Sequence, residues 1–280
     1  MLQLELLSWS PLNTFVLYDN VANNATTAVT VRENLKTYTL PAGVLDVETF
    51  VHSLYDHLHW LLLLSGYLIA DAGTGEKPLI PEAFRSQSDG DYPIAIMVTA
   101  VLQLLDFLSN DKAVAHRHLL SPLMTETIFW FLERWSKSYL FADIDGDYEK
   151  GLPSNLVAAF GTQSAQAQQK LEFTLEQCQR NLMIWSGEVE VILSIIKLLN
   201  VLATNEHTRA RLLVSQRWHT LVQFVIEHIS ALPGETHNSL IAALTRAGNG
   251  ASTPEQKQAY FGAIFGIVEV SFTTVYILEF

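Results

Sequence analysis

The feature that most constrains this fold is the ring-rich segment TETIFWFLERWSKSYLF at residues 125–141, which places six aromatic side chains between Phe129 and Phe141. A helical stripe there contains Leu123, Ile128, Phe131 or Leu132, Trp135 and Tyr139. Phe129 and Trp130 point to other sides. A helix that is apolar over so much of its circumference is covered by neighbours on two or more sides. We therefore predict that the rings are core packing; an exposed aromatic patch for a partner is the alternative.

The segments before the rings also have helical patterns. Asp46 is a candidate N-cap for a helix that ends near Asp71 and carries an apolar face of Phe50, Leu54, Leu58, Leu61 and Tyr67 or Leu68. A second buried helix is predicted over residues 94–110, and Ser121–Pro122 is predicted to start the ring-rich helix. The Gly- and Pro-rich residues 72–93 predict a loop between the first two helices.

The second half of the chain repeats the helical theme after a predicted loop at residues 142–164. Three stripes are formed by Leu171, Leu175, Cys178, Leu182 and Trp185; by Ile192, Ile195 or Ile196, Leu199 and Leu202; and by Trp218, Leu221 or Val222, Val225 and Ile229. Asn205, Pro233 and Gly234 separate these stripes, and residues 253–256 form a capping box that opens the last helix. A strand is conceivable only at residues 270–280, where β-branched and aromatic residues cluster.

The predicted class is therefore all-α. Short connections between helices make antiparallel neighbours, and such a series of hairpins suits a solenoid of stacked helix pairs of the HEAT or armadillo kind. No clean period is visible, so a helical bundle remains open on pattern alone. We divide the chain into a poorly patterned segment at 1–45 and a helical-repeat region at 46–280, of which the last twenty residues are left unassigned.

Composition excludes several functional classes. Cys178 is the only cysteine, so a disulfide framework or a multi-cysteine zinc site is excluded. The formal net charge of −12 disfavours nucleic acid and favours basic proteins as partners. The apolar run from Leu58 to Ala70 has thirteen residues, shorter than the ~20 of a membrane span, and predicts a buried helix. The opening residues lack the positive charge of a signal peptide.

Three weak motifs were considered as sites of chemistry. Asp143, Asp145 and Asp147 have calcium-loop spacing, but Tyr148 replaces the required glycine and Ser154 the required glutamate. GTGEKP, at residues 73–78, lacks the remainder of a phosphate loop. The pairs His57/His59 and His116/His118 lack a third ligand with metal-site spacing. We therefore predict no cofactor, no metal and no catalytic residue.

Four blocks of sequence resemble successive parts of the exportin-4 family of the importin-β superfamily. They are LYDHLHWLLLLSGYLIADAGTGEKPLIPEAF at 54–84, HLLSPLMTETIFWFLERWSKSYLF at 118–141, LPSNLVAAFGT at 152–162 and SLIAALTRAGNGASTPEQKQAYF at 239–261, with Trp185 and Trp218 between them. The resemblance implies a HEAT-repeat superhelix. It covers a middle portion of the longer family chain. Residues 1–45 and those after Phe261 depart from the family, and residues 85–93 are shorter than its corresponding segment.

The resemblance also implies a function. A member of this family is expected to bind the GTPase Ran in its GTP form together with protein cargo, and to shuttle between nucleus and cytoplasm through the nuclear pore. Implied partners are the hypusine-bearing translation elongation factor, Smad-type factors for export, Sox-type factors for import, and the apolar repeats of the pore. The repeats that supply the principal Ran contact are expected to lie outside this portion. The sequence marks no individual partner-binding residue.

Two other hypotheses remain. A truncated helical scaffold without Ran binding is the first, and its uncapped ends would make the isolated chain self-associate. A helical enzyme is the second, and the missing acid, base and metal constellation disfavours it.

Overall fold

The structure is a computed structural model that describes residues 29–30, 37–38, 47–70, 80–85, 92–141, 153–262 and 264–265, with side chains from Val51 onward. A two-residue antiparallel pair, β1 (Val29–Thr30) with β2 (Thr37–Tyr38), precedes the helices. It lies in the segment for which the sequence predicts no element. The helices are α1 (Val47–Ile69), α2 (Glu82–Arg85), α3 (Pro93–Leu108), α4 (Asp111–Ala115), α5 (Pro122–Ser138), α6 (Ser154–Phe160), α7 (Ala165–Ile184), α8 (Val189–Thr204), α9 (Glu206–Leu212), α10 (Gln216–His228) and α11 (Gly234–Gly248). Residues 254–262 form a further helix.

The long helices alternate between two layers along the chain. Layer one consists of α1, α5, α8 and α11, in which each helix packs on the next. Layer two consists of α3, α7 and α10, stacked in the same order. Residues 254–262 pack on α10, where the Trp218 indole N–H donates to the Tyr260 hydroxyl over 3.2 Å. Since helices contact sequential neighbours and not one common centre, the architecture is an all-α solenoid of the HEAT type, as the sequence predicts.

Helix α5 confirms that the rings are packing material. Ser121 accepts a hydrogen bond from the Met124 N–H and Pro122 occupies the first turn, as predicted. The side chains buried along the ring-rich segment include Ile128, Phe129, Phe131, Leu132, Trp135, Tyr139 and Phe141. Helix α5 is covered by α1 and α8 within its layer and by α3 from the other layer. Leu123 is the exception: it is 50% exposed, because it lies in the first turn, at the margin of these contacts.

Helix α1 ends where the sequence predicts, but its buried face differs from the predicted one. Its predicted end near Asp71 is confirmed at Ile69, while the proposed cap Asp46 lies outside the described residues. Its buried face consists of Val51, Tyr55, Leu58, Leu62 and Ile69. Tyr67 and Leu68, one of which we predicted on the buried stripe, are each 64% exposed. The physical reason is that α1 is apolar on two opposite sides, so periodicity alone does not indicate which side meets a neighbour.

The predicted loop at 142–164 is also wrong in part, since it contains α6. Leu156 and Phe160 of α6 are fully buried, and the Phe160 ring packs edge-on against Trp135 at a centroid distance of 5.7 Å. Seven residues are too few to show a helical period. Likewise the predicted loop at 72–93 contains α2, and Tyr92 donates a hydrogen bond to the Phe84 carbonyl over 3.0 Å.

The three stripes of the second half are confirmed. All the residues that we assigned to them are buried, and Asn205 ends α8 and caps α9 through the Thr208 N–H. Thr253 Oγ1 accepts from the Gln256 N–H over 3.2 Å, which confirms the cap, whereas the Gln256 side chain binds the Ser252 N–H rather than that of Thr253. The strand considered at 270–280 lies outside the described residues.

Candidate partner-binding surfaces

Both histidine pairs lie within the described residues. His59 Nδ1 lies 2.6 Å from Thr127 Oγ1, and because that hydroxyl donates to the Leu123 carbonyl, the imidazole N–H is the donor. His116 and His118 are in edge contact at a centroid distance of 6.3 Å. Within the part of the chain that the structure describes, no group of three or more potential ligands converges. The acidic loop with Asp143 and the segment at 73–78 lie outside it.

Cys178 sits in the middle of α7 with no exposed surface. Burial raises the pKa of its thiol, because the thiolate would lose its hydration. The thiol is therefore neutral and unreactive near neutral pH, as expected for a core residue.

The first candidate surface is the α1 outer face, which we define as Trp60, Leu64, Tyr67 and Leu68. These side chains are 63%, 58%, 64% and 64% exposed. Their spacing of four, three and one residues places them on one side of α1, opposite the buried face. A soluble protein seldom exposes so continuous an apolar stripe without a partner.

Arg134 fixes one end of this surface. From α5 it donates through Nε to the Gly66 carbonyl over 3.0 Å and through Nη2 to the Ala70 carbonyl over 2.8 Å. Its guanidinium carbon lies 4.7 Å from the Tyr67 ring centroid and 5.1 Å from that of Trp130. The cation therefore satisfies carbonyls at the end of α1 and places a positive charge beside the apolar stripe.

Gly66 explains how closely α1 and α5 approach. A Cβ atom at this position would lie 2.4 Å from Cζ3 of Trp130, so the indole rests directly on the glycine backbone. The Tyr67 ring is tilted against the same indole at 5.3 Å. The α1 outer face is thus held in position by a rigid ring contact beneath it.

The second candidate surface is a groove of about 380 Å³ between α10 and residues 254–262. Its apolar walls come from Leu213, Val222, Ile226, Ala251, Ala259 and Tyr260, and its polar lining from His219, Gln223 and Gln256. Burial raises the pKa of the Tyr260 hydroxyl, which donates to the Leu244 carbonyl over 2.8 Å and is therefore a structural group. The groove has the size and lining to accept a large apolar side chain.

A polar ladder links the helices of layer two. Arg180 of α7 donates to Asp106 of α3 over 3.0 Å and to Glu176 over 3.1 Å, and Arg217 of α10 reaches Glu176 at 3.0 Å. Gln177 of α7 also donates to Asp106, over 2.9 Å. These side chains join three successive helices by ion pairs at a partly exposed edge.

Sequence reasoning named no partner-binding residue, and it missed the α1 outer face and the groove. A signal for the face was present, since Trp60, Leu64 and Leu68 form a helical stripe of their own, opposite the buried one. The groove had no such signal, because residues of α10 and of 251–260 form it together. None of the helices in the described ranges combines the length and hydropathy needed to cross a bilayer. The helix predicted to be buried over residues 58–70 is buried on one side only.

Comparison with known proteins gives a consistent result. The sequence model of a family described as Exportin-4 matches residues 43–275, so the similarity extends beyond both ends of the four blocks and past Phe261, where we expected a departure. The chain is also similar to Exportin-4 from Dictyostelium discoideum, with 28% identity over an alignment of 207 positions that covers 69% of this chain. The chain spans about 18% of the length of that relative.

Proposed function

The chain belongs to the exportin-4 family, and we propose that it acts as a helical-repeat segment of a nuclear export receptor. In this role it contributes to the Ran-GTP-dependent transport of protein cargo from nucleus to cytoplasm through the nuclear pore. The observation that carries the proposal is the family match over residues 43–275 of a chain that folds as a two-layer solenoid. Exportins are transport receptors, so no catalytic step is proposed.

A solenoid of this kind is suited to coupling two partners. Each helix pair packs only on its neighbours, so small rotations between pairs add up along the stack. If Ran-GTP and cargo favour the same curvature, each raises the affinity of the other by the same factor. The ion pairs of Arg180 and Arg217 lie between helices that would rotate, and they re-form at little cost because they are partly exposed.

The proposed cargo partners are the hypusine-bearing translation elongation factor and Smad-type factors. The net charge of −12 supports basic protein surfaces as cargo. The principal Ran contact of the family is expected in repeats outside this segment, so we expect the isolated 280 residues to bind Ran weakly. We propose shuttling between nucleus and cytoplasm on the same grounds.

For the repeats of the nuclear pore, we propose the groove beside α10. An apolar ring of a pore repeat would fit its 380 Å³ and contact Val222 and Ile226. Ile226→Glu is expected to weaken retention on immobilised pore repeats about tenfold, because it places a charge in the groove. Thr220→Glu, on an exposed part of α10 outside the groove, is the matched control and should bind like the parent chain.

The transport proposal is tested by depleting the protein in its own cells and following the proposed cargo. Nuclear accumulation of the hypusine-bearing factor is expected, with recovery on re-expression. A blot with an antibody against residues 118–141 is made in parallel, and a band far above 31.4 kDa would identify the chain as one section of a full receptor. Unchanged cargo distribution after complete depletion would refute export of this cargo.

A helical scaffold without Ran binding is the second candidate. The exposed α1 outer face favours it, because that surface suits a helix of another protein. A single native band at 31.4 kDa, together with no detectable Ran-GTP binding, would support the scaffold over the receptor.

A further inference from the structure

We propose that the arginine edge, which we define as Arg209, Arg211 and Arg246, binds an extended acidic segment of a partner protein. The three cations lie around α9, where the carboxyl ends of α5, α8 and α11 come together. This inference does not depend on the transport function, because it rests on the contacts of the three side chains.

The direction of the layer-one helices places the three arginines on one side of the stack. Arg211 of α9 lies over the ring of Phe141, just after α5, with 4.3 Å between its guanidinium carbon and the ring centroid. Arg209 of α9 packs against Gly250, just after α11, and Arg246 lies in the last turn of α11. The edge therefore runs along the side of the stack, so further helix pairs at either end would lengthen it and not cover it.

None of the three arginines has a carboxylate partner among the described residues. Arg246 donates to the amide oxygen of Asn200, which is uncharged. Glu206, the one acidic residue of α9, forms no ion pair with either arginine of that helix. Arg180 and Arg217 of layer two, by contrast, are both paired with carboxylates. In a chain with a net charge of −12, three neighbouring cations without a counter-charge suit an anionic partner.

Arg209 also has a donor that is not satisfied. Its Nε atom is buried and has no hydrogen-bond partner in the part of the chain that the structure describes. The stem of the side chain is held by the backbone at Gly250, where an added Cβ would lie 2.7 Å from Cγ of Arg209. A guanidinium held in one orientation suits the bidentate binding of a carboxylate, and such an acceptor would recover part of the cost of the unpaired donor.

The spacing of the edge favours an extended chain. Arg209 and Arg211 are two positions apart on α9, so their side chains leave on nearly opposite sides of this helix, toward α11 and α5. Neighbouring packed helices lie about 8–10 Å apart, so the two guanidinium groups are roughly 10 Å from each other. An extended polypeptide covers this distance in about three residues. Carboxylates at every third position can therefore meet successive cations of the edge.

An acidic polypeptide fits these charges better than a nucleic acid does. The dense phosphate charge of a nucleic acid is repelled by the net charge of −12, whereas a few spaced carboxylates match three cations. Because the contacts are partly exposed, we expect weak binding, with a dissociation constant on the order of 100 µM at low ionic strength. Added salt should weaken it further.

Fluorescence anisotropy of a labelled peptide, titrated with the full 280-residue chain, tests the proposal. The probe is a blocked heptapeptide with glutamate at its first, fourth and seventh positions and glycine and serine between them. Saturable binding is expected, and the same peptide with glutamine in place of glutamate should bind at least about tenfold more weakly. A peptide with its three glutamates adjacent should bind about threefold more weakly, because only one cation is then well placed. Absence of saturable binding to the first peptide would overturn the proposal.

Two variants with the same change in charge locate the site. Arg246→Gln should weaken binding of the peptide about fivefold, because it removes one cation of the edge. Arg217→Gln is the matched control, since Arg217 is also exposed but is already paired with Glu176, and it should bind like the parent chain. Circular dichroism checks that both variants remain folded. An equal loss in the two variants would show that net charge, and not the arginine edge, binds the peptide.

Two further outcomes would overturn the assignment of the partner. Binding that appears only in the triple variant Asp143→Asn, Asp145→Asn, Asp147→Asn would show that acidic residues of this chain, and not a partner, neutralise the edge. Equally tight binding of a single-stranded oligonucleotide with three phosphates, with the same sensitivity to Arg246→Gln, would indicate a general polyanion site.

Discussion

Helix α1 has the more apolar sequence of the two, yet α5 is buried on nearly every side and α1 on only one. The difference comes from their neighbours, since among the described residues α5 lies between two helices of layer one and α1 packs on α5 alone in that layer. Trp135 of α5 has no exposed surface, whereas Trp60 of α1 is 63% exposed. The comparison shows that the periodicity of a sequence indicates how much of a helix surface is apolar. It does not indicate how many neighbouring helices cover that surface.

Replacing one tryptophan of each helix by alanine tests this difference, and the largest expected effect is on α5. Trp135→Ala should lower the free energy of unfolding by about 3–5 kcal/mol, because it leaves a cavity beside Phe160. Trp60→Ala should change it by less than about 0.5 kcal/mol, since the indole is mainly in solvent. Urea denaturation followed by circular dichroism measures both. Equal losses would mean that Trp60 is as well packed as Trp135.

The next effect concerns the contact between the two helices. Gly66→Ala should destabilise the fold by about 1–3 kcal/mol, because the new methyl group would collide with the Trp130 ring, only 2.4 Å away. Gly187→Ala is the control, because a Cβ there meets nothing within 4 Å. Thermal unfolding of the two variants distinguishes the steric effect of the new methyl group on the Trp130 ring from the general effect of replacing a glycine. A stable Gly66→Ala variant would contradict the ring contact.

A smaller effect is expected for the side chain that joins α5 to the end of α1. Arg134→Ala should cost about 1–2 kcal/mol, since it removes two hydrogen bonds to α1 carbonyls and a cation–π contact. Hydrogen exchange should increase chiefly in the last turn of α1. If exchange increased equally throughout α8, the effect of Arg134 would not be local to α1.

The smallest effect is expected one turn further along α5. Lys137 forms an ion pair with Glu133 of the same helix and does not reach α1. Lys137→Ala should therefore change the free energy of unfolding by at most about 0.5 kcal/mol. Denaturation in low and high salt measures this change in free energy. A loss as large as that of Arg134→Ala would show that the charge on α5, and not the hydrogen bonds of Arg134 to α1, stabilises this part of the fold.

The sequence predicted the class, the order of the long helices and most of their buried stripes, because single apolar faces repeat at helical spacing in α7, α8 and α10. Caps such as Ser121 and Thr253 were also predictable, since they depend on local chemistry. Helix α6 was missed because it is too short to show a period. Tyr67 and Leu68 were misplaced because α1 has two apolar sides.

The candidate surfaces were less predictable for a different reason. Asp106 and Arg180 meet across two helices that are far apart in sequence, and the groove joins α10 to residues near Tyr260. Such pairings depend on the rotation between helix pairs, which no local pattern specifies. The blocks that resemble exportin-4 indicated the family correctly, because long irregular strings carry more information than helical periodicity does.

The ladder of Asp106, Arg180, Glu176 and Arg217 gives the two layers of the molecule different mechanical properties. The seam of layer one is mainly apolar, and its arginines Arg134 and Arg246 donate to uncharged oxygens, so its stiffness depends little on dissolved ions. The seam of layer two has ion pairs with a third to a half of each basic side chain exposed, and salt weakens them. A rise in ionic strength would therefore loosen the edge of layer two more than that of layer one, so the stack would become easier to deform on one side.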